Sequence, residues 1–284
     1  MINTTYTLEQ LREVPHFSFS ALNTYLNICQ LQYYYRYVAK AEPEQTPVAL
    51  PFGSAFHSAL SEQAQAAKRG KLLSTEELLE AFRVYFGANC DSSPNVTFKE
   101  DEGMDDLIAT AARMLEAVTK EWQDYWNIEA VALPFRVDVP GCDVPLIGEI
   151  DMVITESTPF DDHPVPCLVD FKTAGRMWPD GKADKDLQAT AYCYAFEREY
   201  GQRPSFRFDV ITKTKKPTVS HIHTYREPDD YARLEYLIAS VQRAVSAGVF
   251  LPSETSFACS GCPYANRCQE CHHETNALNR KAVA

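Results

Sequence analysis

Asp151, Asp170 and Lys172 are the residues of this chain best placed to do chemistry. They lie in two apolar runs, Val144 to Ile154 and Cys167 to Thr173. Each run predicts a short buried strand with an ionised group near its end. A buried strand does not ordinarily accept a carboxylate, still less a carboxylate and an ammonium two residues apart. Residues two apart on a strand share a face. Asp170 and Lys172 therefore point together, and a neighbouring strand can set Asp151 beside them. Two carboxylates bind a hard divalent cation through oxygen. A lysine beside that cation can orient or deprotonate a water. This is the chemistry of metal-assisted phosphodiester hydrolysis.

Other pieces surround that set. Gly53 stands four residues before His57, Gly148 three before Asp151, and Thr173 directly after Lys172. Gln188 and Tyr192 are i and i+4 and share a helix face. Taken in order from residue 52 to 192, Gly-x-x-x-His, Gly-x-x-Asp, Asp-x-Lys-Thr and Gln-x-x-x-Tyr resemble the PD-(D/E)XK nuclease superfamily in its RecB-like branch. The resemblance implies an α/β, restriction-endonuclease-like αβββαβ core with a central mixed sheet and a helical insertion. It implies Asp151, Asp170 and His57 as ligands of Mg²⁺ or Mn²⁺. Lys172 would activate the attacking water or stabilise the transition state, its pKa falling toward neutrality beside the ion. Gln188 and Tyr192 would contact that lysine or a DNA phosphate. Glu149 shares the face of Asp151 only if the strand is regular, and is then a second-metal candidate.

The nine cysteines are an odd number, and the N-terminus lacks the features of a signal peptide, so a disulfide framework is not expected. Cys90, Cys142, Cys167 and Cys193 are scattered and read as small core residues. Cys259, Cys262 and Cys268 follow a Cys-x2-Cys-x5-Cys spacing, which predicts a metal site one ligand short. Cys271 and Cys29 are the candidates for the fourth ligand. Thiolates alone serve zinc and iron–sulfur equally. Some RecB-like nucleases, AddB and the Cas-type adaptation nucleases among them, carry one cysteine before the core and three after it, around a [4Fe–4S] cluster. Cys29, Cys259, Cys262 and Cys268 match that layout. The resemblance thus implies an iron–sulfur staple joining the two ends, with zinc as the alternative.

The elements that must position these groups are read from periodicity and caps. Helices are expected over 17–30 (capped by Ser18 or Ser20), 54–70, 75–86 (opened by Ser74 or Thr75 with Glu77 behind), 105–126, 186–200 and 229–248. Strands are expected over 129–139, 145–155, 167–172, 205–212 and 218–225. Residues 1–284 are read as one nuclease unit. It comprises an N-terminal helical segment (1–50), a helical insertion (58–127), the nuclease core (128–225), and a C-terminal helix with the cysteine cluster (226–284).

The net charge of −12 argues against a protein that coats nucleic acid. The stretch from Asp170 to His223 nevertheless holds ten Lys or Arg against seven Asp or Glu, which suits transient DNA binding. Lys213, Lys215 and Lys216 form a basic turn that could hold backbone phosphates. Trp122, Tyr125 and Trp126 could stack bases or pack the core, and Tyr33, Tyr34, Tyr35 and Tyr37 are expected to pack around the cysteine site. No run approaches the roughly 20 apolar residues of a membrane span, so a cytoplasmic protein is expected. The combined expectation is a single-strand DNA exonuclease that leaves 5′ phosphates, acting in recombination, repair or phage DNA metabolism. With no Walker motif, a helicase, recombinase or integrase partner would be separate. The rival readings are a nuclease that trims DNA for CRISPR adaptation, and a catalytically idle DNA-binding or scaffold subunit.

Overall fold

A six-stranded mixed sheet carries the molecule. The computed structural model describes residues 4–122, 127–157, 163–254 and 257–270. The N-terminal segment runs α1 (Leu8–Arg12), β1 (Phe17–Ser18), α2 (Phe19–Asn23) and α3 (Gln30–Tyr33). A small parallel pair follows, β2 (Thr46–Pro47) with β3 (Val96–Thr97), around α4 (Ala49–Lys68) and α5 (Thr75–Asp91). Then come α6 (Met104–Glu121), β4 (Asn127–Val137), β5 (Leu146–Glu156), β6 (Val165–Ala174), α7 (Leu187–Tyr200), β7 (Ser205–Thr212), β8 (Val219–Thr224) and α8 (Pro228–Ser246). The sequence predicted a mixed α/β fold with a central mixed sheet, and that is what forms.

The sheet order is β1-β5-β6-β7-β8, with β4 on the other edge of β5. The β6–β7 pair is parallel, whereas β5–β6 and β7–β8 are antiparallel. One face packs on α7 and α8 through Leu168, Phe206, Phe208 and Val210. The other packs on α4, α5 and α6 through Cys167, Val169, Phe171 and Ile211. With helices on both sides, β7 is buried at every position, as a covered central strand requires.

Several boundaries differ from the sequence reading, each for a local reason. Helix α4 starts at Ala49, inside a stretch read as a loop. Pro51 falls in its first turn, where a missing N–H costs nothing. His57 therefore sits in the body of the helix and not near its start. The expected helix over 17–30 is broken. Ser18 caps only α2. A π turn over Thr24–Ile28 follows, and Cys29 is extended at φ −166° and ψ 127°. Ser74 opens α5, and Glu77 closes the capping box. Helix α6 stops at Glu121, and Trp122 is buried against Phe171, so that tryptophan packs the core. Tyr125, Trp126 and Cys271 lie outside the described residues. Cys167 and Cys193 are core residues as read, but Cys90 and Cys142 are only half-buried.

Candidate active site

The site lies where one edge of β5 changes partners. Strand β4 covers the opposite edge along almost the whole strand, from Leu146 to Thr155. On this edge β1 pairs only with Leu146 and Ile147, and β6 only with Met152 to Glu156. Residues 148 to 151 lie in the gap between them. Beyond the Met152–Val169 pair, β6 diverges and continues against β7 alone. Asp151 and Asp170 are thus the first residues past the point of separation.

The divergence is held by Asp151 itself, whose Oδ2 accepts the Phe171 backbone N–H at 2.8 Å. The same oxygen lies 3.3 Å from His57 Nδ1, presented by α4. Burial pushes the Asp151 carboxyl up, but His57, the Phe171 amide and Lys172 more than offset this and hold it below its usual range. Burial likewise opposes charge on His57, and Asp151 overrides it and raises the imidazole.

Asp170 is 2% exposed on the face covered by α7. Its Oδ1 accepts from Gln188 Nε2 at 2.6 Å. Its Oδ2 lies 2.6 Å from Lys172 Nζ, yet no donor meets that buried oxygen with hydrogen-bond geometry. Burial pushes the Asp170 carboxyl up to about 6; Lys172 opposes this and Asp151 adds to it. Lys172 donates instead to Gln188 Oε1 at 2.8 Å. Burial pushes its pKa down, but Asp170 overrides that and raises it. The expected fall toward neutrality would require a cation to take over Asp170. Gln188 holds both members of the pair at once, and its own N–H is fixed by the N-cap carboxylate of Asp186 at 2.8 Å. Arg226, 2% exposed, anchors that turn by donating to the carbonyls of Ala183 and Asp186 at 2.9 and 3.0 Å. Sequence reading missed Asp186 and Arg226. The cap before Gln188 was the available sign of the first, and nothing local marks the second.

Tyr192 does not reach Lys172. It is buried edge-on against Phe135, with ring centroids 5.1 Å apart. Burial raises its hydroxyl pKa, with Asp170 and Asp151 adding and Gln188 opposing. The same Phe135 explains Gly148, where a Cβ would meet the ring at 2.5 Å. The glycine makes room for the ring that supports Tyr192, which couples two of the sequence motifs. Gly53 is different: a Cβ there would stand 3.9 Å from Thr173 Oγ1, an ordinary contact. Glu149 faces a cavity in the gap, its pKa raised by burial and then by Asp151.

The basic turn does not act as one unit. Lys213 turns inward, its Nζ 4.2 Å from the centre of the Phe52 ring, and burial then Lys99 lower its pKa to about 8. Lys215 and Lys216 are exposed.

The donor types suit a hard divalent cation, two carboxylates and an imidazole around one gap, although the three donor atoms do not all lie within 4.8 Å of one another. Away from it, Cys29, Cys259, Cys262 and Cys268 all line one cavity of about 250 Å³. Backbone bonds tie its two sides, from Leu31 N to Leu251 O at 3.2 Å and from Glu44 N to Pro263 O at 2.8 Å. The Glu44 carboxylate also accepts from the N–H groups of Asn266 and Arg267 at 3.2 and 3.1 Å. Tyr35 stacks on Tyr264 beneath, and Tyr33 and Tyr34 pack on Phe250.

A second charged group occupies the opposite sheet face. Arg207 donates to both oxygens of Asp209 at 2.8 and 3.0 Å, and His221 Nδ1 lies 2.7 Å from Asp209. Glu156, Cys167 and His223 have ligand atoms within 4.8 Å of one another. Arg207 stands 3.8 Å from Glu156, and Ser205 donates to it at 3.1 Å. The Glu156 carboxylate is thus met by Arg207, Ser205 and His223.

The chain belongs to the PD-(D/E)XK nuclease superfamily, whose family model matches residues 16–269. No curated protein matches it in sequence. Among solved structures it is similar to one from Eubacterium rectale, provisionally described as an exonuclease, at 13% identity and a TM-score of 0.58 over 91% of this chain and 94% of that one. At that identity the likeness speaks of the fold alone. The structure of SSO0001 aligns at 12% identity over 87% of this chain and 92% of that one, with a TM-score of 0.33. No helix among the described residues is long and apolar enough to cross a membrane.

Proposed function

We propose that this chain is a Mg²⁺- or Mn²⁺-dependent deoxyribonuclease that degrades single-stranded DNA from an end and leaves 5′ phosphates. The observation that carries this is Asp170, a buried carboxylate whose Oδ2 meets the Lys172 ammonium at 2.6 Å, beside the second carboxylate of Asp151. Burying two carboxylates side by side is costly, and a bound cation removes the cost. Asp151, Asp170 and His57 would hold the ion. When bound, it supplies charge neutralisation at the scissile phosphate and an acidified water.

The other roles belong to side chains. Lys172, with Nζ fixed by Gln188, orients the attacking water in line with the departing 3′ oxygen. Gln188 keeps that ammonium and the Asp170 carboxylate in one geometry. Tyr192 backs Gln188 from the hydrophobic side. Lys213 holds a neighbouring phosphate at the rim, where burial has already stripped it of part of its hydration. Cys29, Cys259, Cys262 and Cys268 carry a [4Fe–4S] cluster that joins the two chain ends. The layout of one cysteine before the nuclease core and three after it supports a cluster over zinc. A helicase or recombinase would supply the single strands.

The test uses anaerobically purified protein, end-labelled single-stranded DNA, and Mg²⁺ or Mn²⁺, beside Asp151→Ala and Lys172→Ala. Metal-dependent cleavage lost in both variants, with mononucleotides released from one end, supports the reading. A folded, cluster-loaded wild type that leaves the strand intact overturns it.

A further inference from the structure

The unpaired edge of β5 opens into a cavity of about 580 Å³ beside β1, with Gly148 and Glu149 in its wall. Arg12, His16 and Arg36 line it together with Phe19 and Tyr37. Among the described residues, neither Arg12 nor Arg36 is ion-paired with a carboxylate. Arg36 instead lies 5.3 Å from the centre of the Tyr37 ring. In a chain of net charge −12, a concavity lined by two arginines and a histidine against the one carboxylate of Glu149, which Arg12 already stabilises, is locally basic and suits an anion. The guanidinium fork matches phosphate oxygens. Rings interleaved with arginines form the surface that binds unpaired bases, since every base has a face to stack.

The position gives direction. Glu149 is two residues from Asp151, so the cavity begins where the catalytic gap ends. Arg36 also borders a second cavity of about 980 Å³ that reaches Ser260 and Pro263 beside the cysteines. Arg36 thus stands between the cavity at the catalytic strand and the one beside the cysteines.

We propose that this groove is the binding track for the single-stranded DNA flanking the scissile phosphate. Arg12 and Arg36 hold its backbone phosphates, and Phe19 and Tyr37 stack its bases. The inference rests on the nuclease reading for the identity of the ligand.

The test is binding of a fluorescent oligothymidylate to the full, cluster-loaded protein, followed by anisotropy in Ca²⁺ across a salt series. The variants are Arg12→Ala, Arg36→Ala and the pair, with Lys71→Ala/Arg83→Ala removing two charges from the helical layer as control. All four residues are exposed, and thermal midpoints confirm folding. The groove pair should weaken binding by about tenfold or more and lower the slope of log affinity against log salt by roughly 0.7 per lost phosphate contact. The control pair should bind as wild type does, and a blunt hairpin duplex should bind more weakly than the single strand. A groove pair that matches wild type in affinity and slope overturns the proposal, as does an equal loss in the control pair or a preference for the duplex. Wild-type binding without cleavage would instead overturn the nuclease reading and leave the groove standing.

Discussion

Adjacent strands of this sheet each bury a cation and a carboxylate two residues apart. On β6 the pair is Asp170 and Lys172, and on β7 it is Arg207 and Asp209. Their register pairs Asp170 with Phe208 and Phe171 with Asp209, so the two pairs point to opposite faces. All four groups are wholly or largely removed from water. They differ in saturation. Asp209 receives two bonds from Arg207 and a contact from His221, and Glu156 is met by Arg207, Ser205 and His223. Asp170 keeps one oxygen without a hydrogen bond, and Asp151 stands close enough to raise its pKa. Buried charge with every valence filled supports the fold. Buried charge with a valence open, beside a second carboxylate, is a place for a ligand.

That contrast can be broken on the open side first. Lys172→Ala should lower metal-dependent cleavage per folded molecule by about 10²- to 10⁴-fold, the range for loss of a proton-handling group, and should lower the thermal midpoint because Asp170 loses its cation. Gln188→Ala should cost about 10- to 100-fold, as is usual for groups that orient ligands. Steady-state rates over a Mn²⁺ series would show the loss as weaker metal saturation. Gly148→Ala tests the support of Tyr192. A Cβ 2.5 Å from Phe135 should destabilise the protein by about 1–3 kcal/mol through overpacking, read by urea denaturation.

The filled side gives the smallest effect and has a pH signature. Burial pushes Glu156 up, but His223, Cys167 and Arg207 hold its carboxyl at about 2, below the ordinary 4.5. A depressed folded pKa means that the stabilisation is complete above the unfolded value and is lost as pH falls through the folded one. Wild-type stability should therefore decline from about pH 4.5 toward 2 more steeply than that of Glu156→Gln, as read by chemical denaturation at fixed pH. Parallel curves would remove Glu156 from the network.

The comparison also marks what a sequence can carry. The Asp-x-Lys signal on β6 was legible because burial and period-two spacing are local properties. The same signal on β7 passed unremarked, although Arg207 and Asp209 obey the same rule. What separates them is the supply of partners from β5 and β8, which spacing within one strand does not encode. The gap in β5 was equally hidden, since it arises from β1 pairing sixteen residues into the chain. Cys29 was read inside a helix, and the π turn that frees it has no periodicity mark. The cysteine spacing was legible, and the Glu44 bonds that bring residues 44 and 266 together were not.

The most direct measurement sets Asp170→Asn beside Asp209→Asn, scoring each for stability by denaturation and for cleavage per folded molecule. Asp170→Asn relieves the repulsion from Asp151 but takes the counterion from Lys172, so the two effects on stability oppose one another, and it should lose cleavage. Asp209→Asn takes the paired hydrogen bonds from Arg207 and leaves it Glu156 at 3.8 Å, so it should lose about 1–3 kcal/mol while the surviving folded fraction still cleaves. The reverse pattern, an active Asp170→Asn and a stable but inactive Asp209→Asn, would place the chemistry on the wrong face of the sheet.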